Sequence, residues 1–146
     1  MSSADLQNLY QQVILDHARE RHGYGLRPDA VGSSHQLNPT CGDEVTLNVH
    51  TAVDGRIASI SWEGHGCSIS TASASLLSDI THDVSREQVA EAVAAFRELM
   101  QSKGALEGDE ELLGDAVALA GVSRYVTRIK CAMLPWVALE DALLTA

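Results

Sequence analysis

Apolar positions in this chain recur first at helical spacing, then in alternation, then at helical spacing again. Leu6, Leu9, Tyr10, Val13 and Ile14 repeat at three and four with His17 on the same face, predicting an amphipathic helix with Asp5 as its N-cap. Arg21-His22-Gly23-Tyr24-Gly25 and Pro28 then break helical pairing and predict an irregular connection. Val45, Leu47 and Val49 alternate with Thr46, Asn48 and His50, Asp54-Gly55 supplies a turn, and Ala58, Ile60 and Trp62 alternate with serines. That is a β-hairpin with one buried face, and residues 31 to 37 add a weaker third strand.

Beyond Cys67 the period returns to 3.6. Ile69, Ala72, Leu76 and Ile80 share one helical face, and Ser85 with Gln88 forms a capping box that starts another helix. Its stripe of Val89, Val93, Phe96 and Met100, reinforced by Ala92 and Leu99, runs to Lys103-Gly104. After the charged run Glu107 to Glu111, the spacing of Leu112, Ala116, Leu119 and Ala120 predicts a helix closed by Gly121. A last helix carries Trp136, Leu139 and Leu143, with Pro135 in its first turn and Cys131 ahead of it. Helix, then antiparallel strands, then helices is an α+β order in which a sheet of about three strands packs with about five helices.

At 146 residues and 45% hydrophobic, the chain can bury a core as one domain spanning 1–146. Ten basic against twenty acidic residues give a net charge of −10, which disfavours nucleic acid and anionic membrane surfaces as partners. No stretch reaches membrane-spanning length, and Met1 to Leu6 lacks the basic start and apolar run of a signal peptide. A cytoplasmic protein is expected.

Three widely spaced cysteines, none in a C-x-x-C pair, argue against a disulfide framework and turn attention to metal binding or thiol chemistry. Cys41 and Asp43 precede the hairpin and Cys67 follows it, so loops could bring them to one ion. Three thiolates and a carboxylate suit tetrahedral Zn²⁺. Spacing alone leaves the alternative open: three small buried side chains and a turn aspartate.

The surrounding residues are more specific. Asn38-Pro39-Thr40-Cys41-Gly42-Asp43, Glu63-Gly64-His65-Gly66-Cys67-Ser68-Ile69-Ser70, and Arg128-Ile129-Lys130-Cys131-Ala132 with Leu134-Pro135-Trp136 resemble the SufU branch of the wider IscU/SufU family, which is NifU N-terminal-like. Ile14-Leu15-Asp16-His17 extends the likeness to the first helix. The resemblance implies an α+β fold and a zinc site of Cys41, Asp43, Cys67 and Cys131. It further implies a zinc-dependent sulfurtransferase that accepts persulfide sulfur on Cys41 from a SufS-type, pyridoxal-phosphate cysteine desulfurase and passes it to an iron-sulfur assembly scaffold. In that implied cycle a desulfurase histidine takes the place of Cys41 as a zinc ligand.

IscU scaffolds carry a histidine where this chain has Lys130, and an LPPVK segment where it has Ser123-Arg124-Tyr125-Val126-Thr127. Both departures, and the charged stretch from Lys103 to Asp115, favour SufU over an IscU-like cluster scaffold, and a structural zinc module is the second alternative. The resemblance makes Arg128 a partner contact. His65, flanked by glycines, reads as a solvated loop residue and His17 as a packed helix residue, while His22, His35, His50 and His82 show no paired spacing.

Overall fold

The computed structural model describes residues 3–146, so Met1 and Ser2, part of the segment read above for a targeting signal, lie outside the described residues. The elements in chain order are α1 (Ser3–Glu20), β1 (Gly32–Asn38), β2 (Asp43–Thr51), β3 (Ile57–His65), α2 (Ser68–Ile80), α3 (Arg86–Gln101), α4 (Glu110–Leu113), a 3-10 helix (Gly114–Arg124) and α5 (Val126–Leu144). The fold is α+β. Its sheet has the order β1-β2-β3, antiparallel throughout.

Alternation places Val45, Leu47 and Val49 of β2 with Ile60 and Trp62 of β3 on the face covered by helices. A register shift between His50 and Thr51 pairs Thr51 with Ile57, which is fully buried. The expected single buried face is a partial description of β3, because Ser59 and Ser61 are buried as well. Connection 21–29 covers them: Arg27 N–H donates to Ser61 Oγ at 3.1 Å, its guanidinium donates to Ser59 Oγ, and Gly25 N–H donates to Trp62 O at 2.8 Å.

Three helix boundaries also differ from the sequence pattern. α1 begins at Ser3, which puts Asp5 inside the first turn and not at the N-cap position, and there its charge complements the helix dipole. Gly121 does not close its segment, which runs in 3-10 form to Arg124; Ser123 Oγ donates to Ala120 O at 2.7 Å and accepts from Gly104 N–H at 2.8 Å. α5 begins at Val126, so Cys131 is inside the helix and Pro135 lies in its interior.

Proline at 135 removes the N–H that would pair with the Cys131 carbonyl. Packing offsets that loss: Trp136 is fully buried, stacks on Phe96 at 4.0 Å between ring centres, and donates Nε1–H to Ser73 Oγ at 2.9 Å. Ser73 in turn donates to Ala132 O at 2.6 Å, so α2 and α5 are joined by a buried polar link beside the cysteine-bearing turn. The capping box of α3 is present as the sequence predicts, with Gln88 N–H donating to Ser85 Oγ at 3.0 Å and Ser85 N–H to Gln88 Oε1 at 2.9 Å. No helix of the described residues is long and apolar enough to cross a membrane.

Candidate metal centre

Cys41 sits in the turn between β1 and β2. Gly42 N–H donates to Asn38 O at 2.8 Å, Thr40 N–H donates to Asn38 Oδ1 at 3.2 Å, and Gly42 takes φ +77°, a conformation that favours glycine. The tight reversal leaves Cys41 exposed and starts β2 at Asp43, which is 1% exposed. Cys67 is the N-cap of α2, with its side chain free of any capping bond. Cys131 faces inward from α5 and is fully buried. Three separate chain segments, the turn carrying Cys41 and Asp43, the start of α2 and the body of α5, therefore approach one another here.

The Cys41 sulfur lies 3.0 Å from Asp43 Oδ2 and 3.5 Å from the Cys131 sulfur, and the Cys67 sulfur lies 3.6 Å from Asp43 Oδ2. Ligand atoms of Cys41, Asp43 and Cys131 all fall within 4.8 Å of one another. A tetrahedral ion with Zn–S bonds of about 2.3 Å sets its sulfurs about 3.8 Å apart. The spacing of Cys41, Asp43 and Cys131 thus fits zinc, while the Cys67 sulfur stands outside that group of three, in contact with Asp43.

Burial acts first to raise the Asp43 pKa, but hydrogen bonds from the Cys131 and Cys41 thiols and from the Cys67 amide outweigh it and hold the carboxyl below its usual range. The same contacts act on Cys131 in the opposite sense. Burial, followed by its hydrogen bond with Asp43, pushes that thiol strongly up. A cation held among these donors would take the place of the Cys131 thiol proton.

Arg128 stands exposed in the first turns of α5. Its interactions with Cys131, then with Cys67, raise its own pKa further, so a permanent cation stands beside the sulfurs. Arg128, Cys67, Tyr125 and Tyr10 line an open groove of about 790 Å³ between α1 and the start of α5. Lys130 is exposed, and His65 turns away to pair with Glu44 Oε1 at 3.1 Å.

The structure adds residues that sequence reasoning overlooked. Ser70 donates to Cys67 O at 3.0 Å, and the Cys131 thiol points to Thr127 O at 3.8 Å. Gly64 and Gly66 provide space: a Cβ on Gly64 would overlap Glu44 O, and one on Gly66 would meet Asp43 Oδ1 and Ser70 Oγ. The Gly-x-Gly spacing directly before Cys67 was the signal for this close approach.

The chain belongs to the NifU-like N-terminal domain family, whose model matches residues 9–132. It is 41% identical over 140 residues to the zinc-dependent sulfurtransferase SufU of Bacillus subtilis (strain 168), covering 94% of this chain and 91% of that protein. It is 38% identical over 143 residues to the iron-sulfur cluster assembly scaffold protein IscU of Streptococcus pyogenes serotype M1, covering 98% and 87%. The crystal structure of FiSufU from Fervidobacterium islandicum AW-1, described as an iron-sulfur cluster assembly scaffold protein for the SUF system, superposes with a TM-score of 0.82 at 31% identity. That likeness covers 97% of this chain and 99% of the other.

Proposed function

We propose that this chain, acting as one domain over 1–146, is a zinc-dependent sulfurtransferase that receives persulfide sulfur on Cys41 and feeds iron-sulfur cluster assembly in the cytoplasm. One observation carries the reading: within a single cluster Cys41 is exposed on a turn while Cys131, 3.5 Å away, is fully buried. A sulfur acceptor must be reachable by a partner's sulfur, whereas a ligand that only holds the ion need not be. The name of the Bacillus subtilis relative supports the same choice.

Cys41, Asp43, Cys67 and Cys131 would hold the zinc. Bound zinc keeps the thiols deprotonated at neutral pH, which metal-free Cys131 in particular resists. The Cys41 thiolate attacks the terminal sulfur of a persulfide on a SufS-type cysteine desulfurase. A sulfur-sulfur bond forms on Cys41 as the donor's own breaks, and the donor leaves as a thiolate. The pyridoxal phosphate belongs to that partner. Asp43 fixes the Cys67 amide, and Arg128 presents its charge to anionic sulfur and to the docking surface.

The test is sulfide release by a SufS-type desulfurase, with cysteine as substrate and a reductant present, as the zinc-loaded protein is added. Stimulation that disappears with Cys41→Ala supports sulfur acceptance; equal stimulation by that variant overturns the assignment of Cys41. The name of the Streptococcus relative favours a second reading, a cluster scaffold. A stable, transferable cluster after anaerobic reconstitution, together with no stimulation of the desulfurase, would establish that reading instead.

A further inference from the structure

A second group of metal-ligating side chains lies at the other end of α2. Asp79 is twelve residues beyond Cys67, about 18 Å along the helix at 1.5 Å per residue. Its carboxylate oxygens lie 2.8 and 3.0 Å from His22 Nδ1, and Oδ2 lies 3.8 Å from His17 Nε2. The two imidazoles meet edge to face, with ring centres 4.7 Å apart. One ligand atom from each of the three residues falls within 4.8 Å of the others.

The outer contacts orient these donors as metal-binding histidines are oriented. Ser75 Oγ lies 2.7 Å from His17 Nδ1 and accepts from His22 N–H at 2.9 Å, so one fully buried hydroxyl positions both residues and leaves Nε2 of His17 toward Asp79. Glu20 Oε1 lies 2.9 Å from His22 Nε2. A carboxylate on the far ring nitrogen fixes the tautomer and raises the basicity of the near one. His17 is buried while the side chains of His22 and Asp79 are 38% and 42% exposed, so the cluster opens to solvent from one side. An adjoining hollow of about 470 Å³, lined by His22, Asp79 and His82, leaves room for water or an exchangeable ligand.

We propose that His17, His22 and Asp79 form a second divalent transition-metal site, independent of the cysteine cluster and suited to a borderline ion such as Zn²⁺, Co²⁺ or Ni²⁺. Two imidazoles and a carboxylate prefer such ions, whereas the cysteine cluster is dominated by soft sulfur. A dication there faces the carboxylates of Asp79 and Glu20 on a chain of net charge −10. It would also clip the end of α1 and the following connection to α2, adding to the hydrogen bonds and histidine–carboxylate pairs already there.

The test is equilibrium dialysis of the full chain, its cysteine site already filled with one equivalent of zinc, against Co²⁺ with metal analysis of both compartments. One further equivalent of Co²⁺ is expected, with weak d–d absorption and no intense sulfur-to-metal charge-transfer band. The double variant His22→Gln, Asp79→Asn should lose that equivalent while retaining the zinc. Retained zinc and an unchanged far-ultraviolet circular dichroism spectrum show that the variant is folded. No second equivalent in the parent, or a second equivalent that survives the double substitution, overturns the proposal. Neither result depends on whether Cys41 accepts sulfur.

Discussion

The Cys67 amide donates to Asp43 Oδ1 at 2.8 Å while Oδ2 of the same carboxylate stands 3.0 Å from the Cys41 sulfur. Asp43 therefore has two separable tasks: it satisfies the first orphan amide of α2, and in the proposed zinc site it would offer a ligand oxygen. Asp43→Ala removes both and should cost the metal-free protein about 1–3 kcal/mol through the unsatisfied amide. Asp43→Asn keeps an acceptor for the amide but no anionic oxygen. It should unfold in urea close to the parent yet bind zinc more weakly in chelator competition. Equal zinc affinity in parent, Asn and Ala variants would remove Asp43 from the ligand set.

Gly66 provides the clearance that lets Asp43 and α2 approach. A Cβ there would stand 2.6 Å from Ser70 Oγ and overlap the Asp43 carboxylate. Gly66→Ala should displace the carboxylate and lower zinc affinity about 10- to 100-fold, the scale of damage to groups that orient metal ligands. Circular dichroism should remain that of the parent, because the strain is confined to the strand-to-helix turn. Unchanged affinity would mean that Ser70 rotates away and Asp43 keeps its place.

The link from Trp136 through Ser73 to Ala132 ties the helix led by Cys67 to the helix containing Cys131. Ser73→Ala leaves a buried indole N–H without its acceptor and should destabilise the protein by about 1–3 kcal/mol. Each kcal/mol lowers Tm by about 2–8 °C in domains of this size range. Cysteine has comparable volume but a weak acceptor, so Ser73→Cys should recover little. A Tm within error of the parent for Ser73→Ala would show that water or a shifted helix replaces the hydroxyl.

What was legible in the sequence was whatever depends on near neighbours. The period-two pattern of β2, the capping box of Ser85 and Gln88, and the convergence of Asn38 to Asp43 on a tight turn each involve residues a few positions apart. The helical placement of Cys131 was not, because Pro135 locally signals a helix start and only the stacking of Trp136 on Phe96 and its bond to Ser73 favour helix through it. The burial of Ser59 and Ser61 was hidden for a similar reason: their cover is Arg27, more than thirty positions away. His17 and Asp79 are joined across α1 and α2 at a separation that no spacing rule detects.

His50 gives a pH signature away from the cysteines. Burial, then the positive charge of Arg27, lowers its pKa below 6.5 in the fold, against an opposing pull from Asp29, and its Nε2 lies 2.8 Å from Ser61 Oγ. As pH falls through 6.5 the unfolded chain takes up the proton first, so stability declines, and the decline is complete below the lowered folded pKa. His50→Gln retains an amide for Ser61 and does not titrate. The stability of the parent relative to the variant should therefore be constant well above pH 6.5 and fall as the pH drops through and below it. Urea unfolding of both proteins across that range measures the difference directly; parallel curves would place His50 in an environment no drier than the unfolded chain.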